Sequence, residues 1–176
     1  MEKHIKQANT AKRDVQQFLE KIVIDAGVGR ASQQPNFEEK GLVQIMGDLA
    51  AVTGQKPQVR KAKKSIAGFK IREGQIVGLK VTLRRKKMVD FFERLVKIVL
   101  PRVRDFTGLD QKIIDAGGVL NIGFRDQQMF PEVSPEKSPL SFSMGITVVP
   151  RKKNRVKAIQ KFLELGVPLK TKNPKH

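Results

Sequence analysis

Cationic side chains are the residues of this chain best placed to do chemistry, and they are concentrated in one internal stretch. Residues 55–88 contain twelve Lys or Arg and one acid, Glu73, and so contribute +11 to the net charge of +18. Residues 150–176 add nine bases against one acid, whereas residues 1–54 and 89–149 sum to 0 and −1. Because neutralised phosphates release condensed counterions, a concentrated positive field of this kind predicts binding to a nucleic-acid backbone.

Other kinds of chemistry find little support in the residue types present. The chain has no Cys, and its two histidines, His4 and His176, stand at the ends. Thiolate metal sites, Cys nucleophiles and a His-based triad inside the fold are therefore excluded, and we expect neither cofactor nor metal. Gly27-Val28-Gly29 lacks the third glycine of a dinucleotide fingerprint, so a turn is favoured there.

Two alternative functions stay open at this point. The acids Asp105, Asp110, Asp115 and Asp126 could gather around a metal in an enzyme that processes nucleic acid, although their spacing matches no ligand motif. A generic RNA-binding or membrane-surface protein could instead use the basic amphipathic stretch 151–165. The four acids are equally explained as solvated loop residues, and the basic stretch is equally explained as a helix that faces RNA. A non-enzymatic RNA-binding protein is therefore favoured.

The strand that should position the internal cations is residues 79–84. Its apolar residues Leu79, Val81 and Leu83 alternate with Lys80, Thr82 and Arg84. Since successive strand side chains point to opposite faces, one face packs and the other presents two cations and a hydroxyl. The pattern predicts a polar sheet face available to a partner.

The remaining elements predict an α+β fold: a mostly antiparallel sheet with helices packed on one face and a long basic loop. Pro57 indicates that the strand around it lies at a sheet edge. A single domain, 1–176, is expected, with an N-terminal arm or short helix (1–17), a core (18–168) and a basic tail expected to be disordered (169–176). We predict strands at 18–26, 55–63, 79–84, 119–124 and 141–149, and helices at 36–52, 87–100 and 151–165. Asn36 should cap the first helix, and Gly54 should follow its end in the left-handed conformation. Ile98 is expected on the inward face of the second helix, and Val156 and Leu163 on that of the third.

Residues 65–78 form the long basic loop. This segment is rich in glycine, with Gly68, Gly74 and Gly78, and has Phe69 near its centre. Long loops inside compact domains are usually functional or disordered. We interpret this one as a mobile finger that orders on RNA, the alternative being a disordered hairpin tip.

Several sequence blocks resemble one family, that of the fifth large-subunit ribosomal protein of bacterial type, which holds 5S ribosomal RNA. The resemblance spans residues 18–168. The matching blocks are EKIVIDAGVG (20–29), TGQKP (53–57), KAKKSIAGFKIREG (61–74), VTLR (81–84), LPRVRDF (100–106), FRDQQMFPEV (124–133) and MGITVV (144–149).

This resemblance implies a non-catalytic constituent of the large ribosomal subunit that binds 5S rRNA and attaches it in the central protuberance. The implied partners are 5S rRNA, large-subunit rRNA, P-site tRNA through the 65–78 loop, the small-subunit head protein thirteen and other 5S-associated large-subunit proteins. No membrane partner is implied. The expected location is the cytoplasmic ribosome, and a ribosome inside an organelle is equally compatible.

Site residues follow from matching the family's motifs and from the charge run beside them. The implied rRNA-binding residues are Asp25, Gln55, Lys56, Arg60, Lys63, Lys64, Thr82 and Arg84. The implied tRNA-contact loop residues are Ser65, Gly68, Phe69, Lys70, Arg72, Gly74 and Gly78. Asp25 stands where the family usually has Asn, so a negative charge replaces a hydrogen-bond donor there.

Overall fold

The computed structural model of the chain describes residues 12–29, 31–33, 36–103, 106–136 and 138–170. Residues 12–18 are helical (α1), and eight regular elements follow. They are β1 Leu19–Gly27, α2 Leu42–Thr53, β2 Gln58–Lys61, β3 Ile76–Leu83, α3 Arg85–Arg94, β4 Leu120–Phe124, β5 Met144–Pro150 and α4 Arg155–Glu164.

The five strands form one antiparallel sheet in the order β2-β3-β1-β5-β4, so the predicted α+β class is confirmed. Strand β2 lies at the edge, as Pro57 indicated. In the antiparallel pairing of β2 with β3, Gln58 is opposite Lys80 and Arg60 is opposite Gly78. Directly opposed residues project to the same face, so these four positions share one side of the sheet.

Alternation of burial along the strands confirms that the helices cover one face of the sheet. In β3 the inward residues Leu79, Val81 and Leu83 are buried, while Lys80 and Thr82 are half-exposed. We call the less buried side, which carries Lys80 and Thr82, the open face.

The fold divides into two compact units. Among the described residues, the first unit comprises those within Met1–Ile22, Arg84–Ile122 and Thr147–His176. The second comprises those within Val23–Leu83 and Gly123–Ile146. The expectation of a single domain stays a prediction.

The helix that ends at Thr53 starts differently from the prediction. Asn36 has a left-handed backbone, with φ 60°, and its side chain makes no capping hydrogen bond. A π-helical segment, Phe37–Gly41, precedes α2 instead. At the other end Gly54 takes the left-handed conformation, with φ 65°, that was expected after the last helical residue.

Three apolar residues predicted to face inward are exposed: Ile98 at 41%, Val156 at 66% and Leu163 at 40%. Ile98 lies in the π-helical segment Leu95–Val99 that extends α3. Its i→i+5 hydrogen bonds shift the directions of the side chains from those of a regular α-helix. Helix α4 begins only at Arg155, because the Asn154 side chain caps it by accepting from the backbone N–H of Lys157 at 3.0 Å. Its buried residues are Ala158 and Phe162.

The predicted tail starts too early. Leu169 is buried, and the backbone N–H of Lys170 donates to the carbonyl of Leu109 at 2.8 Å. The rest of the tail, 171–176, and residues 1–11 of the predicted arm lie outside the described residues.

Candidate nucleic-acid interface

The corner between α2 and β2 brings two predicted site residues together in the second unit. The side-chain amide of Gln55 donates to the main-chain carbonyl of Thr82 at 3.3 Å. The backbone N–H of Gln55 donates to Oγ1 of Thr53, which is itself buried and bonded to the carbonyl of Leu49. Gln55 is thus held at both its backbone and its side chain beside the last residues of β3.

Asp25 lies on the open face of β1 and is exposed, whereas its neighbours Ile24 and Ala26 are buried. Its carboxylate covers Gly145 of the adjacent strand β5: a Cβ built on Gly145 would lie 2.8 Å from Oδ1. Among the described residues Asp25 forms no ion pair. The carboxylate is therefore available as an acceptor for a donor on a ligand.

The predicted cations of the second unit lie on β2 and just outside it. Lys56, Arg60, Lys63 and Lys64 are all exposed, and none pairs with an acid of the described ranges. Arg60 lies opposite Gly78, which is two residues from Lys80 on β3. Arg60 and Lys80 therefore project to the same open face. Unpaired exposed cations of this kind keep their donors for phosphate oxygens.

The loop between β2 and β3 is a hydrogen-bonded hairpin. Its base closes through hydrogen bonds that join Ala62 to Gln75 and to Gly74, at 2.8 and 3.0 Å. Nearer the tip, Ile66 and Ile71 form an antiparallel bridge around the short turn Ala67–Phe69. The hairpin is therefore closed by its own backbone hydrogen bonds, and its mobility in the absence of RNA stays a prediction.

Side chains complete the hairpin base and leave its tip open. Oγ of Ser65 accepts from the backbone N–H of Glu73 at 2.9 Å, and the Gln75 amide donates to Oγ of Ser32 at 2.9 Å. At the tip, Phe69 is 72% exposed and is followed by Lys70, whose φ is 54°. Gly68, Lys70, Arg72 and Gly74 are exposed as well.

Gly78 was assigned to this loop, and that assignment is wrong. It lies inside β3, opposite Arg60, and has an ordinary strand backbone. A Cβ at this position would lie 3.1 Å from the carbonyl oxygen of Ala26. The glycine serves a close approach of two strands rather than a turn, and sequence alone does not separate the two uses.

Arg84 follows β3 and belongs to the first unit. Its Nη1 lies 3.5 Å from both a carboxylate oxygen and the main-chain carbonyl of Glu20. Lys21 above all, and then Arg84, hold the pKa of the Glu20 carboxyl below its usual value. Arg84 is thus a predicted site cation with an acidic neighbour, unlike the unpaired cations of the second unit.

Sequence reasoning missed two contributors to the open face. Lys80 was placed on the polar side of its strand but not among the binding residues, although the β2–β3 register sets it beside Gln58 and Arg60. Gly145 was not singled out, although the Asp25 carboxylate occupies the space of its missing side chain. The strand alternation could have indicated Lys80, whereas only tertiary packing reveals Gly145.

The acids considered for an enzyme have local structural partners. Asp110, Asp115 and Asp126 each accept a backbone N–H within four residues, from Lys112, Val119 and Gln128, at 2.8–2.9 Å. Asp105 lies outside the described residues. Nowhere in the described ranges do three or more His, Asp or Glu side chains assemble as a metal site requires. Helices of bilayer-spanning length and hydrophobicity are likewise absent from those ranges.

Two family models match the chain, one described as Ribosomal protein L5 over residues 16–72 and one for the C-terminus of the same ribosomal protein family over residues 76–169. The large ribosomal subunit protein uL5 of Chlorobaculum tepidum is 46% identical over 155 residues, which are 88% of this chain and 82% of the relative. The protein of the same name from Fusobacterium nucleatum subsp. nucleatum is 46% identical over 152 residues, covering 86% of this chain and 81% of the relative.

Proposed function

This chain belongs to the ribosomal protein L5 family, and from that membership we propose that it anchors 5S ribosomal RNA to the large subunit in the central protuberance. The family is structural and non-enzymatic, and rRNA binding within a ribonucleoprotein is one of its general properties. Association with the ribosome, its large-subunit rRNA and its proteins follows from membership.

The open face of the second unit supports this proposal most directly. Gln55 and Thr82 are fixed to each other there, while exposed Lys and Arg side chains on and beside β2 have no acid partner among the described residues. Phosphate contacts would fix the RNA's position, and the fixed polar groups of Gln55 and Thr82 would select its shape and its base or sugar groups. Few exposed aromatics accompany them, so base stacking contributes little on this face.

The hairpin 62–75 is assigned the contact with P-site tRNA. Its exposed Phe69 offers a flat apolar surface for a base or ribose, and Lys70 and Arg72 beside it offer charge for the backbone. The family resemblance extends the partners to the small-subunit head protein thirteen and to other 5S-associated large-subunit proteins. The home ribosome is cytoplasmic or organellar.

The anchor function is tested by recovering the affinity-tagged chain from cells and sequencing the RNA that accompanies it. The wild type should sediment with large subunits, and its free pool should carry 5S rRNA. Arg60→Ala/Lys63→Ala/Lys64→Ala should lose that RNA. A control with the same charge change, Arg102→Ala/Lys112→Ala/Arg125→Ala, should keep it. Loss in both variants, or in neither, would remove the open face from the proposal.

The tRNA contact is tested by shortening the hairpin at its tip alone. Replacing Ala67–Phe69 and Lys70 with Asn-Gly keeps the Ile66–Ile71 bridge and the Gln75–Ser32 hydrogen bond, and suits a two-residue hairpin turn. We expect 5S rRNA binding to be unchanged and P-site tRNA to dissociate faster from assembled ribosomes. Unchanged tRNA retention would exclude the tip from tRNA binding, and lost 5S binding would place it in the main interface.

A further inference from the structure

A second group of cations converges in the first unit from three distant parts of the sequence. Two adjoining clefts, of about 440 and 480 Å³, share Arg13 and Gln16 of α1 as lining residues. Arg151 lines one cleft and Lys86, at the start of α3, lines the other. Both clefts are open to solvent, so they suit contact with a ligand that lies along the surface rather than one that is enclosed.

Some cations around these clefts have ion-pair partners and others do not. Lys12 is neutralised by Asp90 and Glu93 at 3.6 and 3.5 Å. Arg13, Lys86 and Arg151, in contrast, form no ion pair with any acid that the structure describes. We call these three residues, with Gln16 between them, the second cationic surface.

Arg151 is held in place although no acid of the described residues pairs with it. Its backbone N–H donates to the carbonyl of Phe18 at 2.9 Å, and its Nη2 lies 3.5 Å from the carbonyl of Gln16. The guanidinium therefore stays at the cleft and keeps further donors for an acceptor there. A planar guanidinium fork matches the geometry of phosphate oxygens.

The cations also stand where helices disfavour them. Arg85 and Lys86 lie in the first turn of α3, and Arg151, Lys152 and Lys153 directly precede the Asn154 cap of α4, with no acid in either first turn. The positive end of a helix dipole repels such charges. Bases gathered at two helix starts therefore oppose stability, and a bound anion would relieve that cost.

The surface draws residues from both inside and outside the ranges that the family models match. The matched residues begin at 16, so Arg13 precedes them, while Lys86 and Arg151 lie within the matched C-terminal part. We infer that the second cationic surface binds the phosphate backbone of an RNA segment, through Arg13, Lys86 and Arg151, separately from the open face of the second unit. The Gln16 and Gln17 amides that line the cleft supply donors and acceptors for ribose hydroxyls.

The inference rests on the proposed function only in naming RNA as the partner, and its test separates the two sites. The open face is first weakened by Arg60→Gln/Lys63→Gln/Lys64→Gln in the full chain. Binding of a 20-base-pair RNA duplex of arbitrary sequence is then measured across a salt series in this background. Adding Arg13→Gln/Arg151→Gln should lower affinity about tenfold and reduce the log–log salt slope by about 2, one counterion release per lost contact.

A control with the same charge change, Arg102→Gln/Lys112→Gln, should leave both the affinity and the slope of that background nearly unchanged. Circular dichroism melting should show that all variants fold. Equal losses in the two doubles would mean that only net charge matters and would overturn the inference, as would no loss in either. Binding to phosphatidylglycerol vesicles but not to the duplex, removed by Arg13→Gln/Arg151→Gln, would assign the surface to a membrane instead. Failure of 5S recognition would leave this comparison intact.

Discussion

The side-chain amide of Gln55 donates to the main-chain carbonyl of Thr82 at 3.3 Å, which joins the corner after helix α2 to the end of strand β3. The two residues are 27 positions apart in sequence. Because the bond ties the corner to the strand that carries Thr82, it fixes the spacing of two polar groups on the proposed RNA-binding surface. Preorganised groups bind without a further loss of conformational freedom.

Replacing Gln55 with Ala should therefore affect both stability and binding. We expect a loss of about 1 kcal/mol in the free energy of unfolding, the usual net value of one partly buried hydrogen bond. Affinity for 5S rRNA should fall at least tenfold. Urea unfolding and filter binding measure the two quantities. Gln160→Ala, at an exposed glutamine on helix α4, is the control and should change neither; a Gln55→Ala protein that binds normally would remove Gln55 from the interface.

Asp25→Asn should strengthen binding to RNA at low salt. The carboxylate stands exposed on a face that otherwise presents cations, so its removal ends a repulsion with nearby phosphates. We expect a gain of about 3- to 10-fold at low salt that shrinks at physiological ionic strength, as screened interactions do. Glu39→Gln, with the same charge change on the helical turn before α2, should give less than a twofold gain. Weaker binding by Asp25→Asn would show instead that the carboxylate accepts a donor from the RNA.

Glu20 should restrain Arg84 throughout the physiological pH range. Lys21 and Arg84 lower the pKa of Glu20, so its carboxylate stays ionised above the ordinary glutamate range and loses its charge only when the pH falls through that lowered pKa. Affinity for RNA should consequently not change between pH 5 and 8 on account of Glu20. Glu20→Gln at pH 7 should free Arg84 and raise the affinity about 2- to 5-fold, whereas Arg84→Ala should lower it.

Fluorescence anisotropy with labelled 5S rRNA measures this effect. Glu164→Gln removes an exposed acid from its pair with Lys161, at 2.9 Å, and provides the matched control. If Glu20→Gln and Glu164→Gln raise affinity equally, the gain reflects net charge. If Glu20→Gln leaves affinity unchanged, Arg84 does not contact the RNA.

Two glycines should respond to Ala in opposite directions. Gly47 lies inside α2 with nothing within 4 Å of an added Cβ, so Gly47→Ala should stabilise the protein by about 0.5–1 kcal/mol. At Gly78 the added Cβ would lie 3.1 Å from the carbonyl oxygen of Ala26. Forcing the strands apart there should cost about 1–3 kcal/mol. Urea midpoints measure both, and a stabilising Gly78→Ala would refute the close approach described for β3.

The parts of the fold that sequence predicted well are those governed by local periodicity. The alternation of Leu79, Val81 and Leu83 with polar residues identified the second half of β3 and its open face, and Pro57 placed the edge strand. The end of α2 at Gly54 followed from its left-handed preference. Local signals fix such elements because the neighbours that matter are two to four residues away.

What sequence could not predict depends on contacts between distant residues. Glycine is typical of turns, so the sequence favoured a loop at Gly78. Only the nearby carbonyl of Ala26 explains why a strand requires glycine there. The convergence of Arg13, Lys86 and Arg151 joins segments more than sixty residues apart. Val156 was placed on a stripe with Ile159, Phe162 and Leu163, but the buried face of α4 is centred on Ala158 and Phe162, so Val156 lies on the opposite side of the helix.

Binding of the purified chain to 5S rRNA, compared with a scrambled RNA of equal length across a salt series, tests the anchor function most directly. Basic proteins bind any RNA at low salt, so the contrast near physiological salt decides. We predict that 5S rRNA remains bound there while the scrambled RNA dissociates with a steep salt slope. If both affinities fall together with the same slope, the cations provide only a general attraction to RNA and the open face does not recognise 5S rRNA.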